Sequence, residues 1–361
     1  MRYNRFYKEN HFLTPTTYTQ QLSEYVERLR FEVIPPQAVE RAKLILIQTV
    51  GAALAASGTP IAGKVCAMAE EANGGPGGTN VLWGTGRRLA AVNAALVLGT
   101  LVDAADWVDC SWTGHPSAGA VPCAWIAAEE RHRSGRDLLT AIVAGYEVYQ
   151  RIAMAVQPSP ERLSTKGWGT TSWQIFACII PIAKLYGMDA RRINQAIGMG
   201  VECSVIPAGS HARTMSGFCH YEHGYRARDG FLIAKSVEKG IHNQLDTLDS
   251  PDCYTAVICG DEMPEDFFGQ NREQTGGAGV SWFTRDLGAR YLIMDTPSRG
   301  WPAGAQMDCR PAGMMSREET IDRFRAQSAP VLWGEKVERA IQTLCDIEAE
   351  EDVAALDGLL Y

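Results

Sequence analysis

From Leu89 onward one helical stretch follows another, over 89–102, 118–130, 137–155, about 172–186, 189–203 and 225–239. Alternating β-branched runs are scarce along the whole chain, so the pattern predicts a mainly α architecture with a core made by helix packing. Upstream, Ala38 to Ala56 is apolar over most of its surface and is expected to lie buried among other helices. Pro35 and Pro36 end the helix expected over Thr16 to Arg30 and open this one, because proline is tolerated in a first turn. Lys64 to Ala72 reads as a further short helix, Asn80 to Trp83 as a short strand, and Thr85 to Arg87 as a turn. Tyr291 to Met294 is a short apolar piece with the look of a strand. Ser316 and Glu319 spell a capping box at the head of a helix over 316–328, followed by amphipathic stretches over 333–346 and 350–360.

This pattern divides the chain into an N-terminal arm (1–15), a helical domain (16–294), a linking segment without periodicity (295–313), and C-terminal helices (314–361) that pack back on the helical domain. With 361 residues, 46% hydrophobic and 21% charged, it can bury a sizeable core. The net charge of −8, with no long block of one sign, argues against nucleic acid or an anionic membrane surface as partner. Ten cysteines are scattered without any CxxC pair, mostly inside apolar runs, where free cysteine behaves as a small hydrophobe. That favours a reducing compartment over a zinc site or disulfide framework. The N-terminus has no signal-peptide core and no early apolar run spans a bilayer, so the expected location is cytoplasmic.

The stretch Asp103 to Gly119, DAADWVDCSWTGHPSAG, carries the chemistry. An apolar alanine-rich helix runs into three acids spaced by three, Asp103, Asp106 and Asp109, and His115 follows six residues later. Asp103 and Asp106 share a face if the helix continues. Pro116 disfavours helix at His115, which places the imidazole on a loop between two helices. Read blandly, the same residues are a solvated helix end and a structural histidine. Read functionally, they gather carboxylates and one titratable base in a small volume.

The order of motifs resembles that of the MmgE/PrpD family, which includes 2-methylcitrate dehydratases, cis-aconitate decarboxylases and iminodisuccinate epimerases. The resemblance covers about 20–295 and about 310 to the end. It is carried by Asp103-x-x-Asp106 leading to His115-Pro116, then Ser134-Gly135-Arg136-Asp137, and Gly145-Tyr146-Glu147-Val148 with Arg151. Gly167-Trp168, Leu185 to Asp189, Gly224 to Gly230 (GYRARDG) and Arg310 to Gly313 complete it. The resemblance implies a large helical domain, typically homodimeric, with a smaller α+β lid over the site. It implies proton abstraction next to a carboxylate of a small polycarboxylate, followed by loss of water or carbon dioxide or by reprotonation, with no metal and no cofactor. Positions matching Asp103 and His115 are active-site residues in relatives. Asp106, Lys166, Thr170, His220, His223 and Arg299 are the candidates to hold substrate.

The sequence also departs from the family. Relatives usually carry a histidine where Gly169 stands and a lysine where Cys219 stands, and a second lysine falls on Arg299. Arginine can clamp a carboxylate but cannot release a proton near neutrality. Most of the lid is missing between about Ala303 and Cys309. His220, Tyr221 and His223 crowd the segment where the lysine is lost. Two other readings therefore stand beside the lyase or isomerase. One is a non-catalytic scaffold or partner subunit. The other is a magnesium-dependent enzyme of terpene-synthase type, suggested by the three acids on an all-α chain but lacking a second metal motif.

Overall fold

The structure, a computed structural model, describes residues 16–104, 108–109, 114–156, 172–204, 217–250, 254–259, 283–296 and 314–361. It is mainly α, as the periodicity predicts. The helices are α1 (Tyr18–Arg28), α2 (Pro36–Ala56), α3 (Pro60–Ala72), α4 (Ala91–Asp103), α5 (Ser117–Arg131), α6 (Gly135–Val156), α7 (Gln174–Leu185), α8 (Ala190–Glu202), α9 (Glu222–Glu238), α10 (Tyr254–Cys259), α11 (Arg317–Ser328) and α12 (Gly334–Cys345). Among the described residues the sheet is two-stranded, with β1 (Asn80–Val81) antiparallel to β2 (Arg88–Leu89) and Asn80 opposite Leu89.

Two helices without a polar face organise the core. Helix α4 packs against α2, α3, α5 and α9, and α7 packs against α5, α6, α8 and α9. Both are buried along nearly their whole length within one chain, as is α2. The burial that such apolar helices require is thus met inside the molecule, and the homodimer is an expectation of the family resemblance alone. Pro181 stands inside α7, where its ring needs space. Gly145 of α6 supplies it: a β-carbon there would lie 2.9 Å from the proline Cγ.

The C-terminal helices return to the bundle. Helix α11 opens with the capping box of Ser316 and Glu319, both hydrogen bonds present, and its Phe324 and Gln327 lie against Gly51 of α2. Helix α1 is fixed at both ends by side chains remote in sequence. The Asp249 carboxylate accepts the Tyr18 and Thr19 N–H groups at 2.7 and 3.0 Å. The Lys184 ammonium donates to the Val26, Glu27 and Leu29 carbonyls at 2.7, 3.1 and 2.6 Å. Each charge sits at the end of the helix dipole that attracts it.

Three local expectations are corrected. Tyr291 to Met294 does not form a strand: Leu292–Asp295 is a 3-10 turn, because Glu147 takes the Leu292 N–H that a sheet partner would need. The stretch 350–360 is not an α-helix but holds a 3-10 turn at Val353–Leu356, as the Val353 N–H bonds to the Arg133 carbonyl instead of a preceding turn. Arg88–Leu89 pairs as a strand, so α4 starts two residues later than the periodicity suggests. The N-terminal arm lies outside the described residues. Cys66, Cys123, Cys178, Cys203, Cys219 and Cys345 are free thiols, and no single described helix is long and apolar enough to cross a membrane.

Candidate active site

Helix α4 ends on Asp103, and α9 begins at Glu222, one residue before His223. The two helices cross so closely that a β-carbon on Gly224 would fall 2.2 Å from the Thr100 hydroxyl oxygen and 2.3 Å from the Leu96 carbonyl oxygen. Only glycine fits there. The crossing sets Asp103 and His223 side by side, with His223 Nε2 3.6 Å from Asp103 Oδ1. Helix α5 brings the third member. Its first residue, Ser117, follows the His115-Pro116 pair, and the His115 ring meets the His223 ring edge-on at 5.8 Å between centroids. Asp103, His115 and His223 thus converge from three helix ends.

The two imidazoles are held differently. His223 is 3% exposed, and its Nδ1 is buried with no hydrogen-bond partner among the described residues. Burial lowers its proton affinity, with Asp103 opposing the shift and His115 and Arg226 adding to it. His115 is half-buried on its loop, and its Nδ1 lies 2.8 Å from the Asp109 main-chain oxygen. A carbonyl only accepts, so Nδ1 carries the proton of neutral His115 and Nε2 keeps its lone pair. The His115 carbonyl in turn accepts from Gln174 Nε2 at 3.0 Å, and Gly119 makes room for that amide, since a β-carbon there would sit 2.8 Å from it.

Behind His115 lies a carboxylate that the spacing of the three acids does not single out. Asp109 is 1% exposed. Its Oδ1 accepts from the Ser117 N–H at 3.3 Å and from the Ser117 hydroxyl, and its Oδ2 accepts from the Tyr146 hydroxyl at 2.6 Å. Burial pushes the Asp109 carboxyl above its ordinary range, while these hydrogen bonds, then His115 and Arg41, pull the other way. Arg41 is itself buried and donates to the Thr296 carbonyl. The spacing of the three acids treated Asp109 as one of a row. Only the fold separates it, because its partner Tyr146 is 37 residues away.

Of the residues expected to hold substrate, His220 lies in a 3-10 turn just ahead of α9. No described hydrogen bond, ion pair or ring contact joins it to Asp103 or His115. Cys219, at the family's lysine position, begins the same turn. Asp106, Lys166, Thr170 and Arg299 lie outside the described residues, as does nearly all of the 295–313 segment. The Glu147–Arg151 pair is buried, at 3.1 Å, and belongs to the scaffold. Arg151 donates to the Arg285 and Arg290 carbonyls and Glu147 accepts the Leu292 N–H, which ties the 283–296 segment to α6.

Residues 20–266 match the MmgE/PrpD N-terminal domain. The chain belongs to the MmgE/PrpD family. It is 26% identical over 243 residues to the cis-aconitate decarboxylase-like protein oryM of Aspergillus oryzae, covering 63% of this chain and 49% of that protein. It is 24% identical over 222 residues to a cis-aconitate decarboxylase of Aspergillus terreus, covering 59% of this chain and 44% of that protein. The chain therefore spans about half the length of the curated relatives it matches. Both relatives carry decarboxylase names, and membership in the family sets aside the terpene-synthase reading.

Proposed function

We propose that this MmgE/PrpD member is a lyase or isomerase that moves a proton next to a carboxylate of a small polycarboxylate. The observation that carries the reading is the meeting of Asp103, His115 and His223, with His115 held in the tautomer that leaves Nε2 bare. A bare imidazole nitrogen at a half-buried position is suited to general-base work and, once protonated, to returning the proton. His115 is the acid/base group, Asp103 orients the substrate or the neighbouring imidazole, and His223 and Arg299 are the proposed substrate contacts. The names of the fungal relatives favour decarboxylation as the net reaction, and a homodimer is the proposed assembly.

The test is incubation of the purified chain in D2O with cis-aconitate, citrate and 2-methylcitrate, followed by proton NMR. Proton abstraction shows as solvent deuterium in the acid even where no bond is cleaved. Conversion or exchange that is absent in His115→Ala supports the proposal. A folded protein that neither converts nor labels any of the acids would overturn it. That outcome would favour a non-catalytic scaffold or partner subunit, a reading already suggested by Cys219 in place of the family's lysine.

A further inference from the structure

We propose that Asp109 is the positioning residue of the site, holding the tautomer and placement of His115 through its main chain and anchoring itself through its carboxylate. This rests on the reading of His115 as the working imidazole. The main-chain oxygen of Asp109 takes the Nδ1 proton at 2.8 Å. A hydrogen bond of this kind fixes which ring nitrogen remains basic and which way the ring faces. A carbonyl on a loop does this only if the loop itself is fixed, and the carboxylate of the same residue supplies the fixing. It reaches Ser117, so that Asp109 and Ser117 are stitched together on either side of His115 in the chain. It also reaches Tyr146 in the middle of α6, which is buried along its length.

The Ser117 N–H, the Ser117 hydroxyl and the Tyr146 hydroxyl converge on the two oxygens of Asp109, and as donors they favour the carboxylate against the burial that raises its proton affinity. The Ser117 N–H belongs to the first turn of α5, where the helix dipole favours a negative charge. The Arg41 guanidinium adds a second favourable field. When His115 takes up a proton, the resulting imidazolium is already hydrogen-bonded to Asp109 and lies near its buried charge. No group has to reorganise to meet it.

The test uses the full chain, labelled with 15N, and follows the imidazole nitrogens of His115 by NMR, the signals being assigned by their loss in His115→Ala. In the wild type the neutral ring should show a protonated Nδ1 and a bare Nε2. Asp109→Asn turns one acceptor oxygen into a donor facing a hydroxyl, so its His115 should show averaged tautomers. In the same variant kcat should fall roughly tenfold or more, with KM within about twofold of the wild type. Tyr146→Phe removes one anchor and should shift the tautomer balance in the same direction, and it decides the matter if Asp109→Asn does not fold. Folded variants whose His115 tautomer is unchanged would overturn the proposal. If the wild type turns over none of the acids while the tautomer responds as stated, the proposed function fails and the positioning role of Asp109 stands.

Discussion

A β-carbon on Gly99 would lie 2.9 Å from the Cα of Gly224, so the helices carrying Asp103 and His223 touch backbone to backbone. Asp103 is one turn along α4 from Gly99, and His223 precedes Gly224. The separation of the carboxylate and the imidazole is set by this contact. Gly224→Ala places its methyl against the Leu96 carbonyl and the Thr100 side chain, which forces α9 away from α4. Overpacking of this kind costs about 1–3 kcal/mol, measurable by denaturant unfolding. Turnover should fall further than that loss explains, because the 3.6 Å pairing of His223 with Asp103 opens with it.

His115→Ala removes the imidazole whose Nε2 is bare. Turnover of whichever acid the wild type accepts should drop at least about a hundredfold, the lower range for loss of a general acid or base. Circular dichroism should be unchanged, since the ring is half-buried at the head of α5 and is not part of the core. A folded variant with wild-type turnover would remove His115 from the mechanism.

Glu129 gives the protein a pH dependence unrelated to the site. Burial pushes its carboxyl up to about 7 from an ordinary 4.5, against the hydrogen bond from Asn80 and the pull of the nearby Trp125 and Val81 N–H groups. Between those two values the folded chain holds a proton that the unfolded chain has released. Stability therefore falls as pH rises through this window, by at most about 3 kcal/mol, and the loss is complete above about 7. Glu129→Gln cannot ionise and keeps an acceptor for the Asn80 amide, which donates to the carboxylate at 3.1 Å. Its unfolding free energy should exceed that of the wild type at alkaline pH, with the gap closing as pH falls towards 4.5. Equal pH slopes for the two proteins would refute this.

Arg151 holds the 283–296 segment by two main-chain carbonyls while paired with Glu147, and both side chains are almost wholly buried. Arg151→Met leaves the Glu147 carboxylate without its cation. Removal of one partner of a buried pair costs about 3–5 kcal/mol. Hydrogen exchange should show the largest loss of protection at 283–296. A loss spread evenly over α6 would assign Arg151 a general packing role instead.

Much of this fold is legible in the sequence because helices without a polar face announce their burial, and α2, α4 and α7 lie where their composition puts them. The Ser316–Glu319 box works as written because capping is local. What fails to show is whatever depends on a distant partner. Leu292 has the apolar company of a strand, yet its N–H is claimed by Glu147 from 145 residues away. Asp109 looks like its neighbours Asp103 and Asp106 until Tyr146 and Ser117 are seen to enclose it. The convergence of His223 on Asp103 follows from two glycines in different helices, which no local pattern pairs.

The two remote caps on α1 give the bundle a keyed socket. A carboxylate from Asp249 waits where the helix must begin, and an ammonium from Lys184 waits where it must end. A helix entering backwards would present its positive end to the ammonium and its negative end to the carboxylate, so the socket accepts one polarity only. Neither key belongs to α1: Asp249 lies beyond α9 and Lys184 near the end of α7. The first helix in the chain therefore has a seat that is complete only after residues more than two hundred positions downstream have taken their places.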